Sequence, residues 1–188
     1  MRKEHNASLS AINKNRLEFL VDGIFAISMT ILVLELKVPE LVDKHSIAEL
    51  AYDLAHHVST FVSYLLTFMM LGIFWYRHNC QYHHFQMITK SMFVFHLIQL
   101  AATAFFPFCA ALFGRYPTNG LSFAVYAGCI MVFLWAMFAN WIVAKRCKAF
   151  NKEFTAADYL IMRNRQFRGC LIISILFLYA LIRIFYIF

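Results

Sequence analysis

The sequence predicts an all-α bundle of membrane-spanning helices, with five visible spans and a cytoplasmic N-terminus. Three observations predict it. Of the 188 residues, 62% are hydrophobic and mean hydropathy is +0.63, against roughly 45–50% apolar residues in an ordinary soluble domain. The apolar residues fall into five stretches, each near the roughly 20 residues that cross a bilayer core. The basic residues gather in alternate gaps between those stretches, which is how orientation is encoded. In water such a surface would aggregate; in a bilayer it is the surface that faces the solvent.

The first fourteen residues are polar, with no apolar core before a small-residue cleavage site, so no cleavable signal peptide is read. The first span runs from Leu17 to Val38 and is stopped by Pro39. The second runs from Leu54 to Tyr76, and the third from Met92 to Phe113 with Pro107 inside it. Neighbouring helices can satisfy the carbonyl that Pro107 leaves free. The fourth runs from Leu121 to Ala144 and the fifth from Cys170 to Phe188. No soluble domain, internal repeat or low-complexity segment interrupts this pattern, so residues 1–188 read as one transmembrane domain.

Orientation follows from counting the gaps. Arg2, Lys3, Lys14 and Arg16, then Arg77 and Lys90, then Lys145, Arg146, Lys148, Lys152, Arg163, Arg165 and Arg168 lie on one side. Lys37, Lys44 and Arg115 lie on the other. The basic side is expected in the cytoplasm, and the acidic Glu35–Asp53 segment outside. Lys145–Arg168 is then the largest cytoplasmic loop, partly an amphipathic helix able to lie on anionic lipid. The net charge of +7 belongs to this topology. It forms no basic stripe with interleaved aromatics, so nucleic acid is not a partner. The five cysteines show no metal spacing and no disulfide framework.

Polar residues inside the apolar stretches carry what chemistry there is. Asp22 sits within the first span, where a carboxylate is expensive and pairs or lines water. It reads either as an ion or proton site or as a hub for donors at the cytoplasmic depth. Trp75, His78 and Asn79 end the second span at that depth and are candidate donors. Ile27, Ile31 and Leu34 recur at i, i+4, i+7 with Thr30 among them, one helical face that by itself says little in a membrane. His96 and Gln99, at i, i+3 in the third span, and Asn140 in the fourth are expected to bond neighbouring helices. His56 and His57 are expected at the outer interface. His78, His83 and His84 lack a carboxylate or thiolate at ligand spacing, so no metal is expected. No nucleophile–base motif occurs, so no enzyme is read.

Arg16-Leu17-Glu18, then Asp22-Gly23-Ile24-Phe25-Ala26-Ile27, Thr30 and an apolar run to Pro39 resemble the first helix of the transmembrane-protein-175 potassium channels. Trp75-x-x-His78, Phe106-Pro107-Phe108 and Tyr116 extend the resemblance over roughly the first 120 residues. The resemblance implies a bacterial single-repeat channel in the cell membrane, a homotetramer around four copies of helix one. By the same resemblance it would conduct potassium as a leak, without a cofactor. It also implies that Ile27 is the narrow hydrophobic constriction, with Ile31 and Leu34 as further layers and Thr30 supplying hydroxyls. Arg16, Asp22, Trp75, His78 and Asn79 would form the network that positions the pore helix. This chain has Leu20-Val21-Asp22 where the family has Phe-Ser-Asp, Asn79 where a second His is common, and His96 where Asn is frequent. The family also implies a sixth span beyond the five read here. The alternatives are a proton-conducting or weakly selective cation channel, and a non-conducting structural membrane subunit.

Overall fold

The computed structural model describes residues 13–185. Its elements are α1 (Lys14–Ile31) continued by a 3-10 turn (Leu32–Glu35), α2 (Ile47–His56), α3 (Val58–His83), α4 (Lys90–Arg115), α5 (Gly120–Arg146) and α6 (Ala156–Phe185). Five of them, all but α2, are long and apolar enough to cross a membrane. At 1.5 Å per residue a 26-residue helix such as α3 is about 39 Å long, enough for a hydrocarbon core of about 30 Å and part of the interface.

Local signals set each start. Asn13 caps α1 by accepting from the N–H groups of Asn15 and Arg16. Ser46 caps α2, accepting from Glu49 N–H at 3.2 Å, while the Glu49 carboxylate accepts from the N–H groups of Val42 and Asp43. Thr155 and Asp158 bond reciprocally at the start of α6. The Thr155–Asp158 pair is a capping box, and all three caps satisfy helix-terminal donors.

Three boundaries depart from the sequence reading. The first span is not helical to Val38: the α-helix ends at Ile31, the 3-10 turn at Glu35, and Leu36 is extended. The second span begins at Val58, not Leu54, because the separate helix α2 occupies the end of the segment expected as loop and the first residues of the expected span. The fifth begins at Ala156, fourteen residues before Cys170, so Lys145–Arg168 is not one loop. Arg163, Arg165 and Arg168 depress the hydropathy of those turns without breaking the helix, which buries Tyr159 and Gln166. The expected end of the fifth span at Phe188, and Arg2 and Lys3, lie outside the described residues.

Helix α4 is the hub and touches α1, α3 and α5, while α6 packs on α5. Lipid tails are as apolar as leucine, so close fit holds such helices together rather than exclusion from water. Gly114 of α4 shows the fit: an added Cβ would stand 3.0 Å from Thr60 Cα and 3.2 Å from Ser63 Cβ. Hydroxyls bridge the same seam, Ser59 donating to Gly114 C=O at 2.8 Å and Ser63 to Ala110 C=O at 2.7 Å. In the centre, Phe74 stacks on Phe133 at 4.5 Å, and Phe25 of α1 meets Phe133 edge-on at 6.2 Å. Pro107 is buried within α4, and the helix runs through it.

At one end of the bundle the α3–α4 and α5–α6 connections clasp each other. Phe85 and Phe150 form an antiparallel bridge, Gln86 N–H donates to Ala149 C=O at 2.7 Å, and Asn151 N–H donates to His84 C=O at 3.0 Å. Lys14, at the start of α1, donates to Phe85 C=O at 3.1 Å. The basic residues grouped by the sequence therefore do lie at one end, among the described residues. Within the clasp, burial against Phe154 and Trp141, with His83 beside it, holds His84 below the ordinary imidazole pKa; Asp158 acts in the opposite sense.

Candidate functional site

Helix α1 divides into two faces. Leu17, Val21, Phe25, Ser28 and Leu32 are buried against the bundle, at the three- and four-residue spacing of one helical side. On the other side Ile27 is 59% exposed, Ile31 41% and Leu34 72%. Thr30 is exposed on the same side and spends its hydroxyl proton on the carbonyls of Ala26 and Ile27, each at 2.9 Å. Its lone pairs remain free to accept, so the outward chemistry of Thr30 is that of an oxygen ligand, suited to a cation.

Exposed isoleucine and leucine are ordinary in lipid, but Asp22 is not. Its carboxylate is exposed on α1 and accepts from the Trp75 indole N–H at 2.8 Å. Trp75 is itself 40% exposed. A charged group facing hydrocarbon is costly. This part of α1 is therefore shaped for water or for another subunit.

The structure distributes the remaining expected network residues differently. His78 is turned away from Asp22 into the bundle, where its Nε2 lies 3.3 Å from His96 Nδ1. Asn140 Nδ2 lies 3.3 Å from the same atom. An amide nitrogen only donates, so with Asn140 oriented this way His96 Nδ1 accepts and His78 Nε2–H is a second donor to it. Tyr82 stacks on His78 at 4.4 Å and meets His96 at a tilt, ring centroids 4.5 Å apart. Arg16 is exposed and Asn79 half-buried, and neither side chain bonds another among the described residues.

The site thus has two parts, an outward pair of Asp22 and Trp75 and an inward cluster of His78, His96 and Asn140 joining α3, α4 and α5. His96 and Asn140 bond neighbouring helices, as their place in apolar stretches suggested, but Gln99 does not join them: both atoms of its amide are buried and unpaired. Tyr82 and Gln81, also buried here, were missed. Their signal was polar or amphipathic residues one turn beyond His78, in a stretch read as lying past the span. Among the described residues no cluster of His, Cys, Asp or Glu has the arrangement of a metal site.

Comparison with known proteins identifies the fold and the first helix together. Residues 16–107 match the family model described as endosomal/lysosomal potassium channel TMEM175. The chain is 25% identical over 130 residues to a potassium channel of Streptomyces collinus, covering 67% of this chain and 62% of that protein. It is 31% identical over 119 residues to a potassium channel of Chamaesiphon minutus, covering 60% of this chain and 57% of that protein. It is 27% identical over 143 residues to the human endosomal/lysosomal proton channel TMEM175, covering 71% of this chain but 28% of the relative. The chain therefore spans about three fifths of these bacterial relatives and under a third of the human one. Its fold is similar to the crystal structure of a lysosomal potassium-selective channel TMEM175 homolog from Chamaesiphon minutus, with a TM-score of 0.77 at 23% identity, covering 90% of this chain and 87% of that one. Matched in sequence from Arg16 to Pro107 and in fold over nine tenths of its length, the chain is similar to the TMEM175 channels in its first three spans and shares their fold.

Proposed function

We propose that the chain assembles as a homotetramer in the plasma membrane and conducts potassium as a leak through a pore lined by four copies of α1. The carrying observation is the exposed Ile27–Thr30–Ile31–Leu34 face, left open while the opposite face of the same helix is locked into the subunit. Ile27 is the narrowest ring, Ile31 and Leu34 are further dry layers, and Thr30 presents an oxygen beside them. A hydrophobic constriction of this kind acts through dewetting. An ion crossing it sheds part of its hydration, and potassium holds its shell less tightly than sodium, so potassium passes more easily. Four identical subunits close into a ring through heterologous contacts. The Asp22–Trp75 pair positions α1 from the outward side and Phe25 from the inward side.

Flux of K⁺, Na⁺ and H⁺ into proteoliposomes containing the purified protein tests this reading. Faster K⁺ than Na⁺ entry, with a reversal potential that follows the K⁺ gradient, supports it. A reversal potential that follows the proton gradient makes the chain a proton channel, as the animal relatives are named. Absence of flux from folded, oligomeric protein makes it a structural subunit.

A further inference from the structure

Between α3, α5 and α6 lies a cleft of about 190 Å³, lined among others by Tyr76, Arg77, Gln81, Trp141, Arg165 and Gln166. It is smaller than the roughly 300–1,000 Å³ of pockets for drug-sized molecules, and it opens where these helices approach the basic end of the bundle. We propose that it binds the headgroup of an anionic membrane lipid, with the phosphate between Arg77 and Arg165.

Three observations point to that ligand. First, two guanidiniums share the cleft, and no carboxylate lines it. Arg77 is half-buried and held in place by one bond, donated to Gln166 Oε1; Gln166 is in turn fixed by donating to Leu134 C=O at 3.2 Å. An arginine has five N–H donors, and Arg77 makes no other side-chain bond among the described residues. Arg165 is exposed and makes none among the described residues. Like charges brought together at the edge of a low-dielectric region are costly, and an anion between them reverses the sign of that term. The planar fork of arginine suits phosphate oxygens.

Second, Gln81 is 2% exposed and donates to Met137 C=O at 2.9 Å, which leaves its Oε1 buried without a partner. An unpaired buried acceptor calls for a donor. A glycerol headgroup carries hydroxyls beside its phosphate. A choline headgroup carries no N–H or O–H and adds a positive charge next to the two arginines.

Third, Met69, Ile73 and Tyr76 form an exposed face of α3 that runs away from the cleft, at 65%, 55% and 65% exposure. Their spacing puts them on one side of the helix, a track for an acyl chain. Tyr76, exposed at the cleft, stands as aromatic residues do at the membrane–water interface. A free phosphate ion has no use for this track, and this decides for a lipid.

The test is native mass spectrometry on the purified full chain in detergent, titrated with phosphatidylglycerol or phosphatidylcholine of matched acyl chains, together with thermal stability in inorganic phosphate alone. Phosphatidylglycerol is expected to bind on the order of tenfold tighter than phosphatidylcholine. Arg165→Gln should remove most of that preference, and because Arg165 bonds nothing else its fold should be retained. Arg165→Lys, which keeps the charge but loses the fork, should fall between the two. Equal affinity for the two lipids, or an unchanged preference in a folded Arg165→Gln protein, overturns the proposal. Stabilisation by inorganic phosphate that depends on Arg165, without any lipid preference, overturns it as well and assigns the cleft to a soluble anion.

Discussion

Replacing Trp75 by Phe keeps the ring against α1 but deletes the donor to Asp22. A hydrogen bond to a charged group contributes about 1.5–3 kcal/mol. Trp75 is 40% exposed and Asp22 lies outward, so the lower end applies. About 1.5 kcal/mol corresponds to a fall of about 3–6 °C in melting temperature for a chain of this size. Asp22→Ala removes the acceptor instead, and the same bond is lost. The two changes should therefore not add: in an Asp22→Ala background, Trp75→Phe should cost under about 0.5 kcal/mol. Melting temperatures of the four proteins, followed by size-exclusion of fluorescently tagged protein after heating, give the cycle. Each single variant should also lose part of its oligomer peak, because the pair fixes the helix proposed to face the other subunits. Additive costs across the cycle would refute the reasoning and reduce the 2.8 Å contact to an incidental one.

Other perturbations separate the remaining parts. Ile27→Asn should wet the constriction, raising K⁺ flux in proteoliposomes while lowering the K⁺-over-Na⁺ ratio; unchanged flux in a folded oligomer would take α1 out of the conduction path. Thr30→Val keeps the shape and loses the outward oxygen, so selectivity should fall with little change in assembly, as read by the same ion fluxes and by size-exclusion. Gly114→Ala forces a Cβ to within 3.0 Å of Thr60 Cα and should cost about 1–3 kcal/mol as overpacking, visible as a lower melting temperature. For His84 the folded pKa is depressed, so the neutral form is favoured by folding. Its contribution is present above the unfolded value of about 6.5 and is lost as pH falls below it. Thermal stability measured from pH 7.5 downward should therefore drop more steeply in the native chain than in His84→Gln.

The five spans were legible because hydropathy in a membrane reports directly on what faces lipid. What hydropathy could not see were the polar turns of real helices. The first turns of α6 carry three arginines yet continue a membrane helix, and the Thr155–Asp158 capping box was the overlooked start signal. Ser46–Glu49 announced α2 in the same way, inside a segment read only for its acidity. In the site, sequence spacing placed Asp22, Trp75 and His78 at one depth but could not say which way each pointed. Depth is fixed by count along a helix; direction is fixed by which neighbour the helix leans on. His78 lies three residues past Trp75, yet helix packing turns it toward His96 of α4 while Trp75 stays outward with Asp22. The stripe Ile27–Ile31–Leu34 was legible as a face, and its exposure required the fold.

The 3-10 turn at Leu32–Glu35 changes the shape of that stripe. In an α-helix three residues advance about 300°, which would leave Leu34 some 60° short of Ile31. In a 3-10 turn three residues complete one revolution and side chains at i and i+3 eclipse, so Leu34 comes to stand directly over Ile31. In the proposed pore the two upper rings are then in register rather than staggered, and each is separated from the next by about 6 Å of axial rise. The dry zone becomes a straight sleeve about 12 Å long from Ile27 to Leu34, a barrier with thickness rather than a single iris. Winding, and not only side-chain size, then sets how long an ion travels without its full water shell. A change near Pro39 that relaxed these turns to α geometry would rotate Leu34 by about 60° relative to Ile31 and shorten the sleeve by about 1.5 Å without altering any residue that lines it.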